Sequence, residues 1–242
     1  DIENDIKNSK YELIRKKDDL YKTESAKIIA IFSDSHMNYE IDRKGNEPSL
    51  SEMTDFGLKF LNKDKKGFFM ALESGRIDQC EHSNDAPCLC DEMKELKKTL
   101  NVIFDFLSKN RDTLFILMAD HSVGGLSLGR DGNEILNLDV LTNVKQSSET
   151  FLKNLKKDVS YDEFAKSYYD AYGINISETD YNNIIRDKNM LLEPLNRIAN
   201  IKWSTDEHEG SYVPVFSTGP QSEMFNGIMD VDEIGKKLFK II

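Results

Sequence analysis

The chain has 242 residues, enough for one α/β domain or two small ones with a sizeable core. Hydrophobic residues make up 39% and charged residues 31%, with a mean hydropathy of −0.53, which is a globular composition. No window holds the roughly 18 apolar residues of a membrane-spanning helix, and a formal net charge of −11 argues against nucleic acid as a partner. The same charge would repel an anionic small substrate unless a bound metal reversed the local field. The first residue is Asp1, with neither an initiator Met nor an apolar signal segment before it, so a mature or cut product is expected.

In chain order, the first apolar run is "KIIAIFSD" (27–34), read as a buried strand ending in Asp34-Ser35-His36. "PSLSEMTDFGLKFLNK" (48–63) follows with apolar residues at helical spacing after a Pro-Ser start that can cap it. "GFFMALES" (67–74) reads as a second buried strand, and "CDEMKELKKTLNVIFDFLSKN" (90–110) as a helix of several turns. "TLFILMAD" (113–120) and "YVPVFSTG" (212–219) complete the strand-like runs. They are near-continuous rather than alternating, as expected of strands covered on both faces. Strands alternating with helices predict an α/β three-layer sandwich with a mainly parallel central sheet. From about 130 to 200 the chain is polar and helix-rich, which predicts a helical insertion in one domain; "VSYDEF" and "ISETDY" read as capped helix starts.

Ligand-type residues collect at the ends of these runs, where open α/β sheets bind ligands. The second run ends in Glu73 and the third in Asp120-His121. Asp78 and His82 follow Glu73 at helical i, i+4 spacing, so both project from one face, a spacing that suits two ligands to one ion. His208 lies in "TDEHEG" just before the last strand. Imidazoles with carboxylates are zinc-type ligands, and a carboxylate with water suits magnesium. In "ADHSVGG" (119–125), Gly124 and Gly125 allow close backbone approach after the Asp-His pair. Cys80, Cys88 and Cys90 do not have zinc-finger spacing; a Cys80–Cys88 bridge and ordinary thiols are both open.

"GFFMALESGRID" with His82, "DTLFILMADHSVGGLSLGRDG" and "EHEGSYVPVFSTGP" resemble, in family order and spacing, the carboxyl-terminal half of alkaline phosphatases, the bacterial-type members most of all. "FSDSHMNYEIDR…PSLSEMTDFGL" extends the likeness upstream. The resemblance implies phosphomonoester hydrolysis through a phosphoserine, with two zinc ions and one magnesium. It implies that Asp78, His82 and His208 hold the first zinc, that Asp120 and His121 contribute to the second, and that Glu73 is a magnesium ligand. A homodimer and a periplasmic, secreted or cell-surface location are further implications.

The family's nucleophilic serine lies in a "DSA"-type motif that this chain lacks; "ESA" at 24–26 stands in another context, and Asp34-Ser35-His36 matches a stretch that is not the nucleophile. Other ligands of the second zinc and of magnesium are also missing, as is the phosphate-binding arginine. The chain therefore reads as the metal-ligand half of an enzyme that requires its amino-terminal half and is inactive alone. A catalytically inactive metal-binding fragment and another phosphoryl-transfer member of the superfamily are the alternatives. Gln79, Cys80 and Glu81 are expected to face solvent, and Arg76 to touch substrate or to form a structural ion pair.

Overall fold

Short strands and helices build the computed structural model, which describes residues 5, 6 and 8–241. In order these are β1 (Glu12–Ile14), α1 (Lys17–Leu20), β2 (Ile28–Ala30), α2 (Leu50–Leu61), α3 (Arg76–His82) and α4 (Ala86–Lys109). Then come β3 (Phe115–Met118), β4 (Ser122–Val123), β5 (Ser127–Leu128), α5 (Ser148–Asn154), α6 (Tyr161–Tyr172), α7 (Glu178–Arg186) and α8 (Glu193–Ala199). The chain closes with β6 (Ile201–Lys202), β7 (His208–Glu209), β8 (Val215–Thr218) and α9 (Val231–Ile241). The α/β class expected from the sequence holds. No helix among the described residues is long and apolar enough to cross a membrane.

Five of the helices, α2 and α4 to α7, start where the sequence supplies a capping side chain. Ser49 accepts from Glu52 N and its own N–H donates to the Glu52 carboxylate, so α2 opens with a capping box. Ser160 with Glu163 and Ser177 with Asp180 do the same for α6 and α7. Along α4 the buried residues Cys88, Glu92, Glu95, Thr99 and Ile103 recur at three- and four-residue steps. Two of them are carboxylates. Glu95 accepts from Ser51 N in the first turn of α2 at 2.9 Å, and Glu92 from Glu40 N at 2.8 Å, so both carboxylates meet backbone amides.

The sheet is less continuous than the apolar runs suggest. Among the described residues, β1 pairs with β2 in parallel, while β3–β8, β4–β7 and β5–β6 are antiparallel two-stranded ladders. Residues 67–74, expected as a buried strand, form no strand and pair with no described strand. Burial alternates only from Phe68 to Met70, and Ala71 to Glu73 are exposed in succession. The Phe68 ring meets Phe106 of α4 at 6.0 Å, and Met70 fills the space left by the missing side chain of Gly57 on α2. Phe69 is 61% exposed, and Glu73 is exposed as well. Helices cover one face of this segment and leave the other bare, which a continuous apolar run does not reveal.

The largest buried cluster lies in the segment that reads as most polar. Phe164, Tyr168 and Tyr172 stack along α6, and Phe151, Ile184, Leu191, Leu192 and Leu195 close around them. Positions 164, 168 and 172 share one helical face, so charged residues between them hide a complete apolar stripe. Two carboxylates seat this segment on the rest of the fold. Asp42 accepts from Ser147 N and from the Ser147 and Thr150 hydroxyls, and buried Asp85 accepts from Ser148 N at 2.7 Å.

Candidate metal centre

α3 begins directly after Gly75 and runs for seven residues, placing Asp78 and His82 one turn apart on the same face. His82 Nε2 lies 3.5 Å from Asp78 Oδ1. Its Nδ1 lies 2.6 Å from the Asp206 carbonyl oxygen, to which it donates. That bond fixes the neutral ring with its lone pair on Nε2, toward Asp78.

His208 reaches the same place through pairing of backbone. In the β4–β7 ladder Val123 stands opposite His208 and Ser122 opposite Glu209, and Gly124 N donates to Glu207 O at 3.1 Å. The ladder stacks the rings of His121 and His208 at 3.8 Å, 21° from parallel, and brings His82 within 5.2 Å of His208. One ligand atom each from Asp78, His82 and His208 then falls within 4.8 Å of the others. The turn after the ladder needs its glycines. Gly124 has φ +77°, and a Cβ there would lie 2.6 Å from the Trp203 ring; Ser204 N and Thr205 N both donate to its carbonyl oxygen.

Asp120 and His121 sit together between β3 and β4, with His121 Nε2 3.5 Å from Asp120 Oδ2. Their rim of the cleft also carries Glu73, Asp78 and Glu81. Glu73 stands outside the triad. Its carboxylate folds back toward Gly75, where a Cβ would lie 2.9 Å from Oε1.

Two polar atoms test whether these residues suit a cation. Asp78 Oδ1 and His121 Nδ1 are both buried and have no hydrogen-bond partner among the described residues. An unpaired buried carboxylate oxygen is costly unless a positive charge meets it. One carboxylate and two imidazoles are a zinc-type donor set, so the triad fits zinc.

Two expectations from the sequence, for Cys80 and Glu81, need correction. Cys80 is fully buried and bonded to Cys88, leaving Cys90 as the free, exposed thiol. Glu81 is half-buried beside the site, and burial, with Asp78 adding to it, raises its carboxyl above the usual range. Gln79 is half-buried and meets the exposed ring of His36 at 3.3 Å. The solvent-side reading failed for Cys80 because that face of the short helix packs against the start of α4. Of the alternatives for Arg76, the structural one fits. Its guanidinium lies over the Tyr39 ring at 3.8 Å, Nε donates to Met37 O at 2.7 Å, and Glu149 is 3.6 Å away. Asn84, Trp203 and the Asp206 carbonyl also shape the site. Backbone and packing contacts of that kind leave little trace in residue type, although the lone Trp lies five residues before His208.

Carboxylates and imidazoles from α3, the β3–β4 turn and β7 thus form a candidate metal centre on an α/β scaffold. The alkaline phosphatase family model matches residues 1–242, and the chain belongs to that family. Alkaline phosphatase 3 of Bacillus subtilis (strain 168) is 29% identical over 247 residues, covering 98% of this chain and 54% of the relative. The cold-active alkaline phosphatase of the psychrophile Shewanella sp. superposes with a TM-score of 0.84 at 21% identity, over 98% of this chain and 61% of that one. A mutant alkaline phosphatase from the Antarctic bacterium TAB5, with magnesium bound, gives 0.64 at 24% identity, over 100% and 55%. The structural likenesses show the fold, which is alkaline-phosphatase-like. The chain spans about half the length of the curated Bacillus relatives it matches.

Proposed function

We propose that this chain supplies the metal-ligand half of a metal-dependent phosphomonoesterase working through a phosphoserine, whose serine lies outside these 242 residues. Asp78, His82 and His208 hold the first zinc, Asp120 and His121 contribute to the second, and Glu73 serves magnesium. The observation that carries the proposal is the convergence of the triad, with the buried Asp78 Oδ1 left without a partner. Held there, two zinc ions would supply Lewis acidity and positive charge for phosphoryl transfer.

The residues of this chain do the positioning. The Asp206 carbonyl orients His82, the β4–β7 ladder sets His208 against His121, and the turn at Gly124 fixes that ladder against Trp203. Asp78 and Asp120 provide negative charge that keeps cations in place, which offsets the repulsion that an acidic chain exerts on a phosphate.

The isolated chain is inactive in this reading, because it requires an amino-terminal half carrying the nucleophile. The unpaired segment 67–74, with Phe69 and Leu72 exposed, supports the need for further polypeptide along that edge. Residues 130–200 form a helical insertion within one alkaline-phosphatase-like domain. The assembled enzyme is a homodimer. The Cys80–Cys88 disulfide supports a periplasmic, secreted or cell-surface location, where disulfides persist.

The test is hydrolysis of a chromogenic aryl phosphate by the full-length protein at alkaline pH, before and after chelation. Loss on chelation, recovery with zinc plus magnesium, and a stable phosphoserine at acid pH are expected. Turnover unaffected by complete metal removal refutes the proposal.

A further inference from the structure

α3 has seven residues, well short of the roughly 12 to 15 that hold a helix together unaided. Yet Asp78 and His82 face one ion only while that helix keeps its pitch. Something outside α3 must hold it.

The Cys80–Cys88 disulfide is placed to do so. Cys80 sits midway between the two ligands and points the other way, into the interior, where it is 0% exposed. Its partner lies in the first turn of α4 and is 1% exposed. The nine residues between and including the cysteines form a closed loop that contains His82. Inside it, Asn84 turns the chain at φ +49°, and Asp85 N donates to Cys80 O at 2.9 Å. The Asp85 carboxylate caps α4 through Cys88 N at 3.0 Å and accepts from Ser148 N at the start of α5. With its amide turned to suit its neighbours, Asn84 donates to Glu81 O at 3.1 Å and to Thr205 O at 3.0 Å. The loop is therefore bonded to the strand approach that delivers His208, as His82 is through Asp206.

We infer that the Cys80–Cys88 disulfide is a positioning device for the triad, holding Asp78 and His82 on one face of α3 and registering them against His208. The inference rests on the metal-binding reading above. Both sulfurs are shielded from solvent, so the bond acts as a permanent fixture and not as a redox switch. A staple that only stabilised the fold would leave metal affinity unchanged once the protein is folded. A positioning device lowers affinity in the folded state as well.

The experiment compares zinc affinity in the full-length protein, by competition with a chromogenic chelator, for the parent, Cys80→Ala/Cys88→Ala, and His208→Ala. The spectrum of bound cobalt(II) at the triad gives a second readout. The disulfide-free protein is expected to bind the zinc that His208→Ala loses about 10- to 100-fold more weakly, the range found when groups that orient ligands are removed. Its cobalt spectrum is expected to lose the parent's tetrahedral band. Ile184→Ala, in the helical core built around α6, is the control for stability. It is expected to lower the melting temperature while leaving zinc affinity within about twofold of the parent. Cys80→Val/Cys88→Ala, which refills the lost volume, serves if the first pair folds poorly. Parent-like affinity and spectrum in a folded disulfide-free variant overturn the inference and leave the metal reading standing. A parent with no zinc that His208→Ala removes overturns both.

Discussion

His82 donates through Nδ1 to the carbonyl oxygen of Asp206 at 2.6 Å, across 124 positions of sequence, and this bond turns its other nitrogen toward Asp78. A carbonyl accepts only, so the proton is assigned to Nδ1 and the lone pair to Nε2. The ligand geometry at the triad is thus set by a backbone group.

Asp78→Asn keeps volume and shape but removes the charge from a buried oxygen that has no partner. Zinc affinity is expected to fall about 100-fold, while the metal-free melting temperature stays unchanged or rises slightly, because no hydrogen bond is lost. Chelator competition and thermal unfolding read the two effects separately. A large loss of metal-free stability would assign Asp78 a structural role instead.

Gly124→Ala forces a Cβ to within 2.6 Å of the Trp203 ring from a left-handed backbone. A stability loss of about 2 kcal/mol or more is expected from the clash and φ strain together. The β4–β7 ladder starts at this turn, so zinc affinity should weaken too. Urea unfolding at normal stability would show that the turn tolerates a side chain.

Tyr168 and Tyr172 are neighbours on one helix face with different hydroxyl environments. Tyr168 donates to Leu191 O at 2.9 Å, while the Tyr172 hydroxyl is buried with no partner among the described residues. Tyr168→Phe should cost about 1 kcal/mol, and Tyr172→Phe should be neutral or stabilising. Denaturant midpoints decide, and the reverse order would refute the assignment.

Glu92 is pushed up to about 6, chiefly by burial, against the opposing effect of the Glu40 amide. Its folded-state pKa lies above the unfolded value of 4.5, so the folded protein binds this proton more tightly. Its contribution to stability is full below pH 4.5 and is lost as the pH rises to about 6. Glu92→Gln retains an acceptor for Glu40 N and removes the charge. The variant should match the parent near pH 4 and exceed it above pH 6 by on the order of 1–2 kcal/mol. Denaturant titrations from pH 4 to 7 test this, and a variant less stable than the parent at pH 7 would contradict it.

Most of the site was legible because its determinants are local or periodic. The i, i+4 spacing of Asp78 and His82 survives in the α3 geometry, and the glycines after His121 make the close approach expected of them. The capped starts at Ser160 and Ser177 also formed where residue type placed them. What stayed hidden depends on contacts made across the fold. A continuous apolar run such as 67–74 looks the same whether one face is covered or two. The burial of Glu92 and Glu95 rests on the amides of Glu40 and Ser51, both more than 40 residues away in sequence. Cys80 and Cys88 read equally well as free thiols, because three cysteines offer several pairings and spacing does not choose among them.

The central claim is that Asp78, His82 and His208 share one zinc ion. Anomalous scattering measured on both sides of the zinc absorption edge, from crystals of the full-length protein grown with zinc, tests it most directly. The account predicts a zinc peak about 2.0–2.2 Å from His82 Nε2, an Asp78 carboxylate oxygen and a His208 ring nitrogen. A zinc-loaded crystal with no peak among these three side chains would contradict it.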